Sequence, residues 1–75
     1  MGLAIRLNRA DNVVVARVDL LPGTRLDDED DLVVGTHVPA GHKLATEPIP
    51  AGAPVRKYGQ IIGFATVPIA PGEHV

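Results

Sequence analysis

Apolar and polar positions alternate at the start of the chain, where Leu3, Ile5 and Leu7 stand between Gly2, Ala4, Arg6 and Asn8. Period two marks a strand with one buried face, so a first strand is predicted from Met1 to Leu7. Asn8 to Asn12 is rich in turn formers, and Val13-Val14-Val15-Ala16 follows. Three consecutive β-branched residues favour extended backbone, and an unbroken apolar run predicts a second strand buried on both faces. Ile61 to Val67 is the strongest remaining strand pattern, with Gly63 expected to mark a bulge or a close backbone approach.

Between these segments one unit recurs, around Gly23, Gly41, Gly52 and Gly72. Leu20, Val38, Ile49 and Ile69 stand three residues before those glycines, and Leu26, Leu44, Val55 and Val75 stand three after. Each copy reads as strand end, tight turn and strand start, because proline fixes its own φ and glycine takes the positive φ of such turns. The flanking apolar residues are then expected to point inward together. The glycines are spaced too unevenly for a solenoid, and 7 prolines and 8 glycines leave no convincing helix. The expected fold class is all-β, a compact set of hairpins forming a single domain over residues 1–75. Asp27 to Asp31, five carboxylates in a row, lacks the glycine and ligand order of an EF-hand and reads as a solvated hairpin tip.

Composition narrows the partners. The chain is 45% hydrophobic with one Tyr, one Phe and no Trp, so its core must be aliphatic and it offers no aromatic platform for bases. Net charge is -2 and the basic residues are scattered, which argues against nucleic acid. Without cysteine there is neither a disulfide framework nor a thiolate metal site, and a cytoplasmic setting is expected. No segment reads as a signal peptide, no apolar run approaches the ~20 residues that span a bilayer, and Arg6 stands where a myristoylation motif wants Ser or Thr, so no membrane partner is expected. A domain of 75 residues buries only roughly 60–65% of its unfolded surface, which makes a partner chain or domain a natural source of stability.

Chemistry can sit where the copies of the unit differ. After Gly52 come Ala53-Pro54, whereas after Gly41 come His42-Lys43, an imidazole and an ammonium on a turn tip. His74 holds the second place after Gly72, while His37 stands where the other units carry Asp19, Pro48 and Pro68 and reads as a loop residue. Lys57-Tyr58-Gly59 is either a turn with a packed ring and exposed hydroxyl, or a substrate-carboxylate site or general acid–base pair. Asp11-Asn12 has the local pattern of an Asx turn. No nucleophilic triad, phosphate loop or redox motif is present.

Taken in order, Asp11-Asn12-Val13, Pro39-Ala40-Gly41-His42-Lys43, Lys57-Tyr58-Gly59 with Ile62-Gly63, and Gly72-Glu73-His74-Val75 resemble the N-terminal SAF domain of the altronate and galactarate dehydratases. The small subunit of sulfolactate sulfo-lyase is similar. The resemblance spans nearly the whole chain, and the GHK and KYG motifs at this separation make it specific. It implies a β-clip, in which long hairpins fold over one another, and a lyase that removes water, or sulfite in the sulfo-lyase branch, from the carbon β to a sugar-acid carboxylate. Taking a proton α to a carboxylate gathers negative charge on its oxygens, for which a divalent metal, Fe2+ or Mn2+, is the expected remedy.

With the resemblance, His42, Lys43 and Tyr58 are expected as catalytic residues, Lys57, Asp11 and Asn12 as substrate contacts, and His42 and His74 as metal ligands. Two imidazoles hold an ion weakly, so further ligands are expected from a large lyase domain or subunit, the substrate or a continuation of the chain. The isolated chain is accordingly expected to be inactive. Two rival readings are a non-catalytic carbohydrate-binding or assembly module and a homo-oligomerisation domain.

Overall fold

Turn units close on one another in pairs, and this pairing builds the molecule. A computed structural model describes residues 2–75. Leu20 bridges Val38 and Ile49 bridges Ile69, so each pair of units clasps the base of one hairpin excursion. The first excursion carries β3 (Arg25–Leu26) and β4 (Leu32–Val33); the second carries β6 (Pro54–Lys57) and β7 (Gln60–Phe64). A three-stranded antiparallel sheet in the order β1 (Ala4–Ile5), β2 (Val13–Ala16), β5 (Lys43–Ala45) lies between them. Apart from one 3-10 turn at Asp27–Glu29, the described residues are strand, turn and loop, an all-β domain of folded-over hairpins.

All four units form the same turn. The residue after each glycine donates its N–H to the carbonyl three residues back: Thr24 to Leu21, His42 to Pro39, Ala53 to Pro50 and Glu73 to Ala70, at 3.0–3.1 Å. The glycines sit at φ between 82 and 92°, as the third residue of such a turn requires. Leu20, Val38, Leu44 and Ile49 are fully buried, Leu26 and Val55 nearly so, while Ile69 and Val75 are half-buried against the same core.

That core has two lobes joined through β2. Val14 and Ala16 pack with Leu20, Leu26, Val34, Val38 and Leu44; Val13 packs with Ala45, Ile49, Val55 and Ala65. Opposite faces of one four-residue strand thus serve two clusters, which is why the run reads apolar without alternation. The first strand departs from its expected form. Only Ala4–Ile5 pair, Met1 lies outside the described residues, and the buried face is the other one: Leu3 and Ile5 are exposed while Ala4 packs on the core. The register Ala4↔Ala16 and Ile5↔Val15 decides this, since a strand takes the facing of its partner and a shift of one residue inverts every side chain. No helix among the described residues is long and apolar enough to cross a membrane.

The acidic run is the tip between β3 and β4. Asp27, Asp28, Asp30 and Asp31 are exposed, and the chain reverses through Asp30 and Asp31 at φ 55 and 58°, a conformation Asp tolerates. Glu29 alone turns back, taking two N–H bonds from Arg6 at 2.6 and 3.1 Å, while a third guanidinium N–H of Arg6 reaches the Asp11 carbonyl at 2.8 Å. The bond to Glu29 raises the Arg6 pKa above its ordinary value, against the lowering effect of burial.

Candidate functional site

The antiparallel run of β5 against the C-terminal residues builds the histidine pair. Ala45 N–H donates to the Glu73 carbonyl and Val75 N–H to the Lys43 carbonyl, each at 3.0 Å, with Leu44 opposite His74. His42 stands two residues before Leu44, the diagonal position from which a long side chain reaches across. His42 Nδ1 and His74 Nε2 lie 2.9 Å apart, and the ring centroids 5.1 Å apart with planes tilted by 30°.

Both backbones are fixed. His42 closes its own turn and accepts from Ala16 N–H at 2.9 Å; His74 N–H donates to Thr36 Oγ1 at 2.9 Å. Thr36 is a positioning residue that the sequence pattern does not single out, since its partner lies 38 positions away. One of the two ring nitrogens donates and the other accepts. Metal–nitrogen bonds of about 2.0–2.1 Å at right or tetrahedral angles place two imidazole nitrogens roughly 2.8–3.4 Å apart. The observed separation falls in that range, and it is equally the length of an N–H···N hydrogen bond between the two rings. The nearest carboxylate in sequence, Glu73, is engaged in its own turn, accepting from Ala70 N–H at 2.7 Å. Among the described residues no third histidine or carboxylate joins the pair. His37 is exposed and takes no part.

Lys43 follows on β5, half-buried. The KYG motif lies elsewhere. Tyr58 and Gly59 form the two-residue tip between β6 and β7, both at positive φ (59 and 71°), as a primed hairpin turn requires. Tyr58 is exposed, with Lys57 Nζ 5.8 Å from its ring centroid. A tyrosine is strained there, and Asp11 offsets the strain: its buried carboxylate accepts Tyr58 N–H at 3.0 Å and Gly59 N–H at 2.7 Å. Asn12, also buried, accepts from Arg56 N–H at 2.8 Å and donates to the Pro54 carbonyl at 2.9 Å.

Asp11 and Asn12 are therefore committed to β6 and its tip. They precede β2, whereas Ala16 at its far end holds His42. The structure thus joins His42 with His74 and sets Lys57 and Tyr58 beyond the other end of β2, whose four residues span roughly 10 Å at about 3.3 Å per residue.

Comparison with known proteins gives this geometry a context. Residues 3–75 match the family model described as the altronate/galactarate dehydratase SAF domain. The chain is similar to the altronate dehydratase of Escherichia coli (strain K12), 43% identical over 72 residues that cover 95% of this chain and 14% of that protein. It is also similar to the galactarate dehydratase (L-threo-forming) of the same organism, 37% identical over 73 residues, and to the altronate dehydratase of Bacillus subtilis (strain 168), 35% identical over 72. In each case the coverage is again 95% of this chain and 14% of the relative, so the chain spans a small fraction of the curated proteins it matches.

Proposed function

Since the chain belongs to the altronate/galactarate dehydratase SAF domain family, we propose that it is the small domain of a sugar-acid dehydratase and that the His42–His74 pair is its contribution to a divalent-metal site. The observation that carries the proposal is the 2.9 Å approach of two ring nitrogens from turn tips 32 residues apart, each with its backbone pinned by a neighbouring element. His42 Nδ1 and His74 Nε2 would hold the ion, and Fe2+ or Mn2+ bound there would supply positive charge beside the substrate carboxylate. Lys43, next on β5, adds an ammonium to the same end of the domain for that carboxylate. Lys57 and Tyr58 serve the same substrate only within a cleft that the large region completes, because β2 separates them from the histidines.

Elimination of water across the carbons α and β to the carboxylate then requires a base, further ligands and exclusion of solvent, all supplied by the large region. The test is histidine NMR during titration with Zn2+ as a diamagnetic probe. Selective change at His42 and His74, lost in the remaining ring when the other residue is replaced by Ala, is the expected result. A response at His37 alone, or at none of the three, removes the metal assignment. An assembly role is the second reading, favoured by the exposed apolar surface of β7.

A further inference from the structure

The β6–β7 arm is tied to the body of the domain by hydrogen bonds from Asp11 and Asn12, yet much of its own apolar surface is bare. Its register runs Pro54↔Phe64, Val55↔Gly63, Arg56↔Ile61 and Lys57↔Gln60, so Ile62 is an extra residue bulged out of the ladder. Paired residues share a face. Val55 with Gly63 looks toward the core, where Val55 is buried; Pro54, Phe64, Arg56 and Ile61 occupy the opposite face. Strict alternation from Gly63 would send Ile62 outward with Phe64 and Ile61 inward, whereas Ile61 pairs with outward-facing Arg56. A bulge re-aims its residues and lets two consecutive side chains stand on one side. Ile61, Ile62 and Phe64 are all at least half-exposed, at 56, 50 and 65%.

A two-stranded hairpin is marginal in water by itself. Here the buried side chains of Asp11 and Asn12 spend four hydrogen bonds on β6 and its tip, and none on β7. That arrangement fixes the arm while leaving its outer face free. We infer that this face, Pro54, Arg56, Ile61, Ile62 and Phe64, is the docking surface for the large region of the dehydratase, against an apolar patch bearing a carboxylate opposite Arg56.

Two observations choose this occupant over a second copy of the chain. From Pro54 to Gly72 the only charged residues are Arg56 and Lys57, so two arms packed face to face would oppose like charges, whereas a carboxylate-bearing partner complements them. The matched segment is also only 14% of the relatives' length, so most of such a polypeptide lies outside this domain. The inference rests on the small-domain reading but not on the histidine site.

The experiment compares hydrogen exchange of residues 61–64 in the isolated chain and in a full-length chimera, the E. coli altronate dehydratase with this chain in place of its matched segment. Exchange slowed at least about tenfold in the chimera, and restored by Phe64→Glu, is expected. Fast exchange in a folded chimera, or protection indifferent to Phe64→Glu, overturns the assignment. In the isolated chain, Phe64→Glu and Ile62→Glu should leave the melting temperature within about 2 °C, as for surface changes; unfolding would show the face to be core. Sedimentation should find a monomer. A dimer dissociated by Phe64→Glu would give the face to a second copy instead. Because protection is read apart from turnover, an inactive chimera with a protected arm would count against the dehydratase reading alone.

Discussion

Gly72 shows how one position can be bound twice. Like Gly23, Gly41 and Gly52 it takes a positive φ, but a Cβ there would run into the Val33 carbonyl, whereas the other three face open space. Gly72 also accepts Gly35 N–H at 2.8 Å and donates to the Ala45 carbonyl at 2.8 Å, so it ties the first hairpin to β5. Gly41→Ala should cost about 1 kcal/mol from backbone strain, and Gly72→Ala about 3 kcal/mol or more, because the backbone itself must shift. Urea unfolding of the two variants checks the order. The histidines behave oppositely. Their rings are exposed and their positions are held through backbone bonds, so His42→Ala and His74→Ala should each change stability by less than about 0.5 kcal/mol while abolishing the Zn2+ response. A melting temperature that fell sharply with either variant would mark the pair as structural.

At the scale of elements, the decisive contact is between the loop before β2 and the β6–β7 arm. Asp11 and Asn12 lie more than 40 positions from the groups they bind and are the buried polar side chains among the described residues. Asp11→Ala removes a charged acceptor from two N–H groups at a strained tyrosine, and a loss of about 1.5–3 kcal/mol is expected. The sharper readout is local: the Tyr58 and Gly59 amides should exchange faster in Asp11→Ala than in the parent chain, beyond any change elsewhere. Uniform acceleration across all amides would instead mean that the clamp serves global stability only. A variant of Arg6 tests a different tie, since Arg6→Ala frees Glu29 and the Asp11 carbonyl together, whereas Glu29→Gln frees only the acidic tip.

For the whole molecule, the separation of the histidine pair from the KYG tip sets the expectation. Two ring nitrogens at one end and a cation and a phenol at the other, with β2 between them, do not enclose a substrate. The isolated chain should therefore show no elimination from altronate or galactarate with Fe2+, Mn2+ or Mg2+ present, measured by formation of the keto product. Turnover by these 75 residues alone would overturn the division of labour between a small and a large region. Stability should be modest as well, on the order of 4–11 kcal/mol at the usual per-residue scale.

The order of residues determined the turn units, because proline and glycine act on their own backbone and need no distant partner. It likewise determined the all-β class, the doubly buried β2 and the solvated aspartates of the acidic tip, each a matter of local pattern, whereas Glu29 turns back to Arg6. The order of residues placed a bulge or a close approach at Gly63, whereas the bulged residue is Ile62, one position earlier, and no close approach occurs at Gly63. Tertiary structure decided what pairs with what. The facing of the first strand followed its register with β2, not its own alternation. The meeting of His42 and His74, the binding of Asp11 and Asn12 to the KYG tip, and the role of Thr36 all depend on contacts between residues 32 to 48 positions apart. Alternation and turn chemistry act over a few residues and carry no information about such pairings, which only the closing of two hairpins over one sheet brings about.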